Sequence, residues 1–287
     1  NFIELFNEIS SGKKIKRVGM VGAEQMPVSV YKEVSENFKG VELIDITGDF
    51  LKLRYIKSKW EIEQIRQAFK LAHYSYKAMI EKIKPGVPEY EVAAAGEAAA
   101  RALGANGFAF KTIVGSGKRS NAVVPTAMDK IMETGEMVML GISPRWKGYS
   151  GVFGDTLPVS GKFTPSQEEC LKHVKEAMYL TKQQLIPGKI GKEIDAPARA
   201  YFEKVGYLKY LVCPFAHTIG IMEAEAPFFG PNSTDELKPR MTVCVDVSFF
   251  GHPEFNGLRI ETGYEITESG PVPLSEEMDR ILLGGRR

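Results

Sequence analysis

Apolar residues recur at two different periods along this chain, and the changes of period outline its elements. Ile62, Ile65, Ala68, Phe69, Ala72, Tyr76, Met79 and Ile80 keep the spacing of one helix face. Ser58-Lys-Trp-Glu61 opens that helix as a capping box, and Pro85-Gly86 closes it. An alanine-rich helix over 88–103 follows and ends at Gly104, and Glu136-Met-Val-Met-Leu140 reads as a buried strand. The plan then recurs. Thr164-Pro-Ser-Gln167 is a second capping box, its helix ends at Pro187-Gly188, a further helix ends at Gly206, and Arg240-Met-Thr-Val-Cys244 reads as a strand. Pro187-Gly188 lies 102 positions after Pro85-Gly86, as Gly206 does after Gly104 and Glu193-Ile194 after Glu91-Val92. A common register at several points predicts a duplicated helix-helix-strand-strand unit. Two such units make one pseudo-symmetric α+β domain around an antiparallel sheet, with a pocket expected where the halves meet.

Ahead of this body, residues 16–22 and 41–46 read as short strands and 26–38 as the helix between them. Such a β-α-β piece is too small to bury a good core alone. It reads as the end of an α/β domain, so residues 1–57 are taken as its C-terminal remnant with a linker, and residues 58–287 as the main domain. The chain begins at Asn1 rather than Met, and it is expected to be the C-terminal portion of a longer protein. With 37 basic and 36 acidic side chains the net charge is +1, which argues against a nucleic-acid partner. No apolar run reaches membrane-spanning length. Three widely spaced cysteines, Cys170, Cys213 and Cys244, fit a reducing compartment, and a cytoplasmic protein is expected.

Few residues stand out for chemistry. His73 and His173 lie inside helices and read as packing or surface residues, and His252 reads as part of a turn. His217 sits between apolar strand residues and a small-residue turn, with Glu223-Ala-Glu-Ala-Pro227 downstream. Asp246 and Glu261 interrupt strands that otherwise read as buried. A buried charge needs a partner, so they read either as a cross-strand ion pair or as part of a site with His217. Arg259 shares the strand face of Glu261.

Leu53-Arg-Tyr-Ile-Lys57, Gly115-Ser-Gly117, Gly148-Tyr149, His217-Thr-Ile-Gly220 with Glu225-Ala-Pro227, Leu237-Lys-Pro239 and Arg259-Ile-Glu261 together resemble the pita-bread family of Xaa-Pro aminopeptidases, prolidases, methionine aminopeptidases and creatinase. The resemblance covers about residues 50–275 and implies two halves around a curved antiparallel sheet. The metallopeptidases of that family bind two ions through two aspartates, a histidine and two glutamates. Here Gly141 and Val152 stand where the aspartates are expected, Asp246 is one methylene shorter than the usual glutamate, and His217 and Glu261 match. Val124 and Ala224 stand where further family histidines are expected.

Loss of both aspartates makes a two-ion site improbable on charge alone. Creatinase shows the same kind of loss, and the segment 135–149 is similar to its version. By that resemblance the chain is expected to be a metal-independent, cofactor-free hydrolase of a C–N bond in a small guanidino or amidino compound. His217 would be its general acid/base, with Asp246 and Glu261 on the cationic group. Arg259, Glu225, Val124 and Tyr149 would line the substrate. Arg259 either holds a substrate carboxylate or pairs with Glu261. The resemblance also implies a homodimer and a small-molecule partner. Two readings stay open beside it, an Xaa-Pro metallopeptidase and a pita-bread module that binds without turnover.

Overall fold

In a computed structural model, residues 2–11, 13–38 and 40–284 are described. Asn1 and residues 285–287 fall outside them. The chain divides into two compact units, Asn1–Tyr55 and Ile56–Arg287. In the first, β1 (Arg17–Met20) and β2 (Glu42–Asp45) pair in parallel, Arg17 opposite Glu42 and Met20 opposite Asp45. Parallel strands need a crossover, and α2 (Val28–Asn37) supplies it. An amphipathic segment that the sequence reading left unassigned forms α1 (Phe2–Ser10), and α3 (Thr47–Lys52) follows β2. Among its described residues only Val34 and Phe38 are buried.

The second unit starts with the long helix α4 (Lys59–Ile80). The Ser58 hydroxyl accepts from the Glu61 amide at 3.2 Å, and Glu61 accepts from the Ser58 amide at 2.7 Å. α5 (Glu89–Ala102) leads into β3 (Gly107–Phe108), β4 (Ile113–Ser116), β5 (Met137–Ile142), β6 (Pro144–Trp146), β7 (Tyr149–Ser150) and β8 (Phe153–Pro158). The second half opens on α6 (Pro165–Gln183), capped by Thr164 and Gln167, and α7 (Gly191–Lys204). β9 (Ala216–Thr218), β10 (Glu225–Phe228), β11 (Thr242–His252), β12 (Asn256–Thr267), β13 (Gly270–Pro273) and α8 (Glu276–Leu283) complete it. His252, expected in a turn, closes strand β11 and stacks on Phe255.

The main sheet runs β10-β9-β11-β12-β8-β5-β4, with β13 alongside β12. It is antiparallel throughout. The first half contributes β4, β5 and β8, and the second contributes β9, β11 and β12. The halves join where β12 meets β8, Glu261 opposite Gly154. The two halves read from the sequence therefore lie side by side in one sheet, and their seam carries an acidic residue. Eight consecutive residues of β11, Thr242 to Phe249, are buried, as expected for a central strand covered on both faces. No helix of the described residues is long and apolar enough to cross a membrane.

Candidate active site

One transverse row of the sheet runs Ile113, Gly141, Gly154, Glu261, Asp246 across β4, β5, β8, β12 and β11. Directly paired residues point to the same face. Beside this row, His217 on β9 pairs with Cys244 two positions before Asp246, so it shares that face. The sheet thus brings together residues that lie far apart in the chain. His217 Nε2 is 3.5 Å from Glu261 Oε1 and 3.8 Å from Glu223 Oε1. His217 Nδ1 is 3.1 Å from the Thr218 carbonyl, which fixes the ring with Nε2 toward the carboxylates.

Arg259 pairs with Asp246, Nη2 to Oδ2 at 3.3 Å, and not with Glu261, one of the two roles the sequence suggests. Register explains the difference. Arg259 stands opposite Ser248 and diagonal to Asp246, while Glu261 leans toward His217. Ser248 completes the contact by donating to Asp246 and accepting from Arg259 Nε at 3.0 Å.

The charges here act on one another at close range. Burial alone would depress the His217 imidazole, yet Glu261, Glu223 and Asp246 outweigh it and push it up to about 10. Burial raises Glu223, and the neighbouring Glu261 charge raises it further, while His217 opposes both. Burial would also raise Glu261, but His217 and Arg259 hold it below the ordinary carboxylate range. Burial lifts Asp246 against the pull of Arg259. The Glu261 Oε1 atom is buried and makes no hydrogen bond among the described residues.

The other expected residues lie in different surroundings. Glu225 is buried against Lys57, Oε1 to Nζ at 2.9 Å. The Tyr149 hydroxyl donates to Glu61 Oε1 at 3.1 Å, at the start of α4. Val124 lies in an exposed loop. Asp155, next to Gly154 on β8, points the other way and accepts from the Tyr76 hydroxyl of α4. Glu223, to which the sequence reading gave no role, is the addition. Its signal was an acidic residue in the turn just after His217.

A two-ion centre does not fit these residues. A Cβ at Gly141 would come within 2.9 Å of Ile113 Cδ1, so an isoleucine fills the space an aspartate needs. Val152 is fully buried and offers no donor. Asp246 is neutralised by Arg259. Two divalent ions would bring four positive charges. One ion does fit. Among the described residues, His217, Glu223 and Glu261 each offer a ligand atom, and these atoms lie within 4.8 Å of one another.

Residues 63–268 match the model of metallopeptidase family M24. The chain is 33% identical to the uncharacterized peptidase YqhT of Bacillus subtilis over 94% of its length and 75% of that protein. It is 33% identical to an Xaa-Pro dipeptidase of Pyrococcus furiosus, covering 89% of this chain and 72% of that one. The solved prolidase from Pyrococcus furiosus superposes with a TM-score of 0.86 at 31% identity, covering 94% and 79% of the two chains. An Xaa-Pro dipeptidase from Bacillus anthracis superposes with a TM-score of 0.88 at 29% identity, covering 96% and 77%. These likenesses confirm the pita-bread plan. They overturn the expectation of a metal-independent, creatinase-like C–N hydrolase in favour of the peptidase reading. The geometry supplies a reason. Asp246, which was to receive a cationic substrate group, already holds the Arg259 guanidinium. The chain belongs to metallopeptidase family M24.

Proposed function

We propose that this chain hydrolyses the Xaa-Pro bond of dipeptides or other short peptides. The likeness to Xaa-Pro dipeptidases along nearly the whole chain carries this reading. In this reading the metal site is degenerate, because Gly141 and Val152 supply no ligand. The homodimer and the cytoplasmic location belong to the same reading, supported by the family resemblance and by three cysteines that form no disulfide.

His217 and Glu261 would hold a divalent cation, which when bound polarises a scissile carbonyl and acidifies a water. The chain's own residues prepare the place. The Thr218 carbonyl fixes the imidazole, and the Arg259–Asp246 pair keeps a second carboxylate oriented. Lys57 and Glu225 brace the turn that follows β9: Glu225 Oε2 receives the Met222 amide at 3.4 Å, and the Thr218 hydroxyl donates to the Glu225 carbonyl.

Proline release from Ala-Pro or Met-Pro, with Mn²⁺ added and with Ala-Ala as comparison, tests the reading. Turnover confined to the proline substrates is expected, with a loss of about 100-fold or more in His217→Ala. A second reading, a peptide-binding domain without turnover, is favoured by the apolar Gly141 and Val152. Saturable binding of Ala-Pro with no proline released at any Mn²⁺ concentration would establish it instead.

A further inference from the structure

We propose that Glu223 takes over as a metal ligand from the two absent aspartates, so that the chain binds one divalent cation through His217 Nε2, Glu223 and Glu261. The inference rests on the metallopeptidase reading only for the class of ligand, a divalent cation. Its geometry is independent of that reading.

Three donors around one ion, each with a bond of about 2.1 Å, stand roughly 3.0–3.5 Å apart. His217 Nε2 is already 3.5 Å from Glu261 Oε1 and 3.8 Å from Glu223 Oε1, and the three ligand atoms lie within 4.8 Å of one another, so closure needs side-chain movements on the order of an ångström. Glu261 is nine-tenths buried or more, and its Oε1 faces this point, paired with His217 Nε2 at 3.5 Å but in no hydrogen bond among the described residues. A buried acceptor left in that state is costly unless something completes it. Two carboxylates balance one divalent ion.

The turn that presents Glu223 is held at each backbone step before it. The Gly220 carbonyl receives the Ser150 amide at 2.8 Å. The Ile221 carbonyl receives the Ser150 hydroxyl at 3.2 Å. The Met222 amide donates to Glu225, which Lys57 clamps. Gly220 permits the clamp, since a Cβ there would stand 2.5 Å from Glu225 Oε1 and 2.9 Å from Lys57 Cε. Such support preorganises a ligand. The site is therefore built from the turn after β9 rather than from the positions of Gly141 in β5 and Val152 just before β8.

The full chain, stripped with EDTA and dialysed, is titrated with MnCl₂ by calorimetry, and the loaded protein is examined by electron paramagnetic resonance. One Mn²⁺ per chain and an isolated six-line signal are expected. Glu223→Gln, of equal size, is expected to weaken binding by about 10–100-fold or more, at least the loss usual for groups outside the coordination sphere. Two ions per chain with an exchange-coupled signal would overturn the proposal, as would no binding at millimolar Mn²⁺ or an affinity unchanged by Glu223→Gln. If the variant melts earlier than the parent in EDTA, Glu223→Asp provides the second comparison. A shorter carboxylate that binds Mn²⁺ as tightly as the parent would also overturn the assignment. Peptidase activity is scored separately. One bound ion without proline release sinks the peptidase reading alone, and two bound ions with proline release sink the single-ion site alone.

Discussion

Lys57 shows how much one side chain can be asked to do. It is 2% exposed, its amide donates to the Arg240 carbonyl at 3.0 Å, and its ammonium meets Glu225 at 2.9 Å. Removing one partner of a buried pair strands the other charge, which typically costs about 3–5 kcal/mol. Lys57→Met is expected to lose that much in urea unfolding, and Lys57→Met with Glu225→Leu to recover most of it. A single variant within about 0.5 kcal/mol of the parent would show that the pair contributes little. In the sequence Lys57 lies in a segment read as linker, where a lysine is ordinarily solvated. Only its partner, 168 positions away, makes it a core residue. Glu223 was hidden for a similar reason. Nothing in Glu223-Ala-Glu225 says which glutamate turns toward His217 and which toward Lys57. That choice is made by the turn after β9 and by the ion pair beneath it.

Among the elements, the helices were the most legible. Their capping boxes are local exchanges over three residues, so the sequence carries the whole device. In strand β8, Asp155 stands three positions after Val152, and alternation turns it to α4, where it accepts from Tyr76 at 2.7 Å and from the Thr156 amide at 2.8 Å. Burial pushes its carboxyl up to about 6, against Tyr76, the charge of Lys175 and the Thr156 amide, which favour the ionised form. An unfolded aspartate titrates near 4. Between those values the folded chain keeps a proton that the unfolded chain has lost. This contribution to stability is therefore fully present below about pH 4. It falls by on the order of 3 kcal/mol as pH rises to about 6, and it is level above that. Urea midpoints of the parent and Asp155→Asn, measured from pH 4 to 7, are expected to diverge across this window. Parallel curves would place the titration elsewhere.

Across the whole molecule, burial divides unevenly between the two units. Among its described residues the first unit buries only Val34 and Phe38, whereas β11 and β12 of the second are buried along most of their length. Local opening follows burial. Amides of β1 and β2 are expected to exchange with deuterium orders of magnitude faster than those of β11 and β12, as read by mass spectrometry. Equal protection would mean that the first unit draws stability from something other than its own core. The sequence alone determined the duplicated α+β plan, the helix limits and the placing of His217, Asp246 and Glu261 in buried strands. Those follow from periodicity, caps and charges set in apolar strands, all of which are local or repeating. Tertiary structure decided which charges meet. Arg259 goes to Asp246, Lys57 to Glu225, and Glu223 joins His217 and Glu261. Pairing across a sheet depends on register, diagonal reach and the space that Gly141, Gly154 and Gly220 leave, and no stretch of sequence contains those quantities by itself.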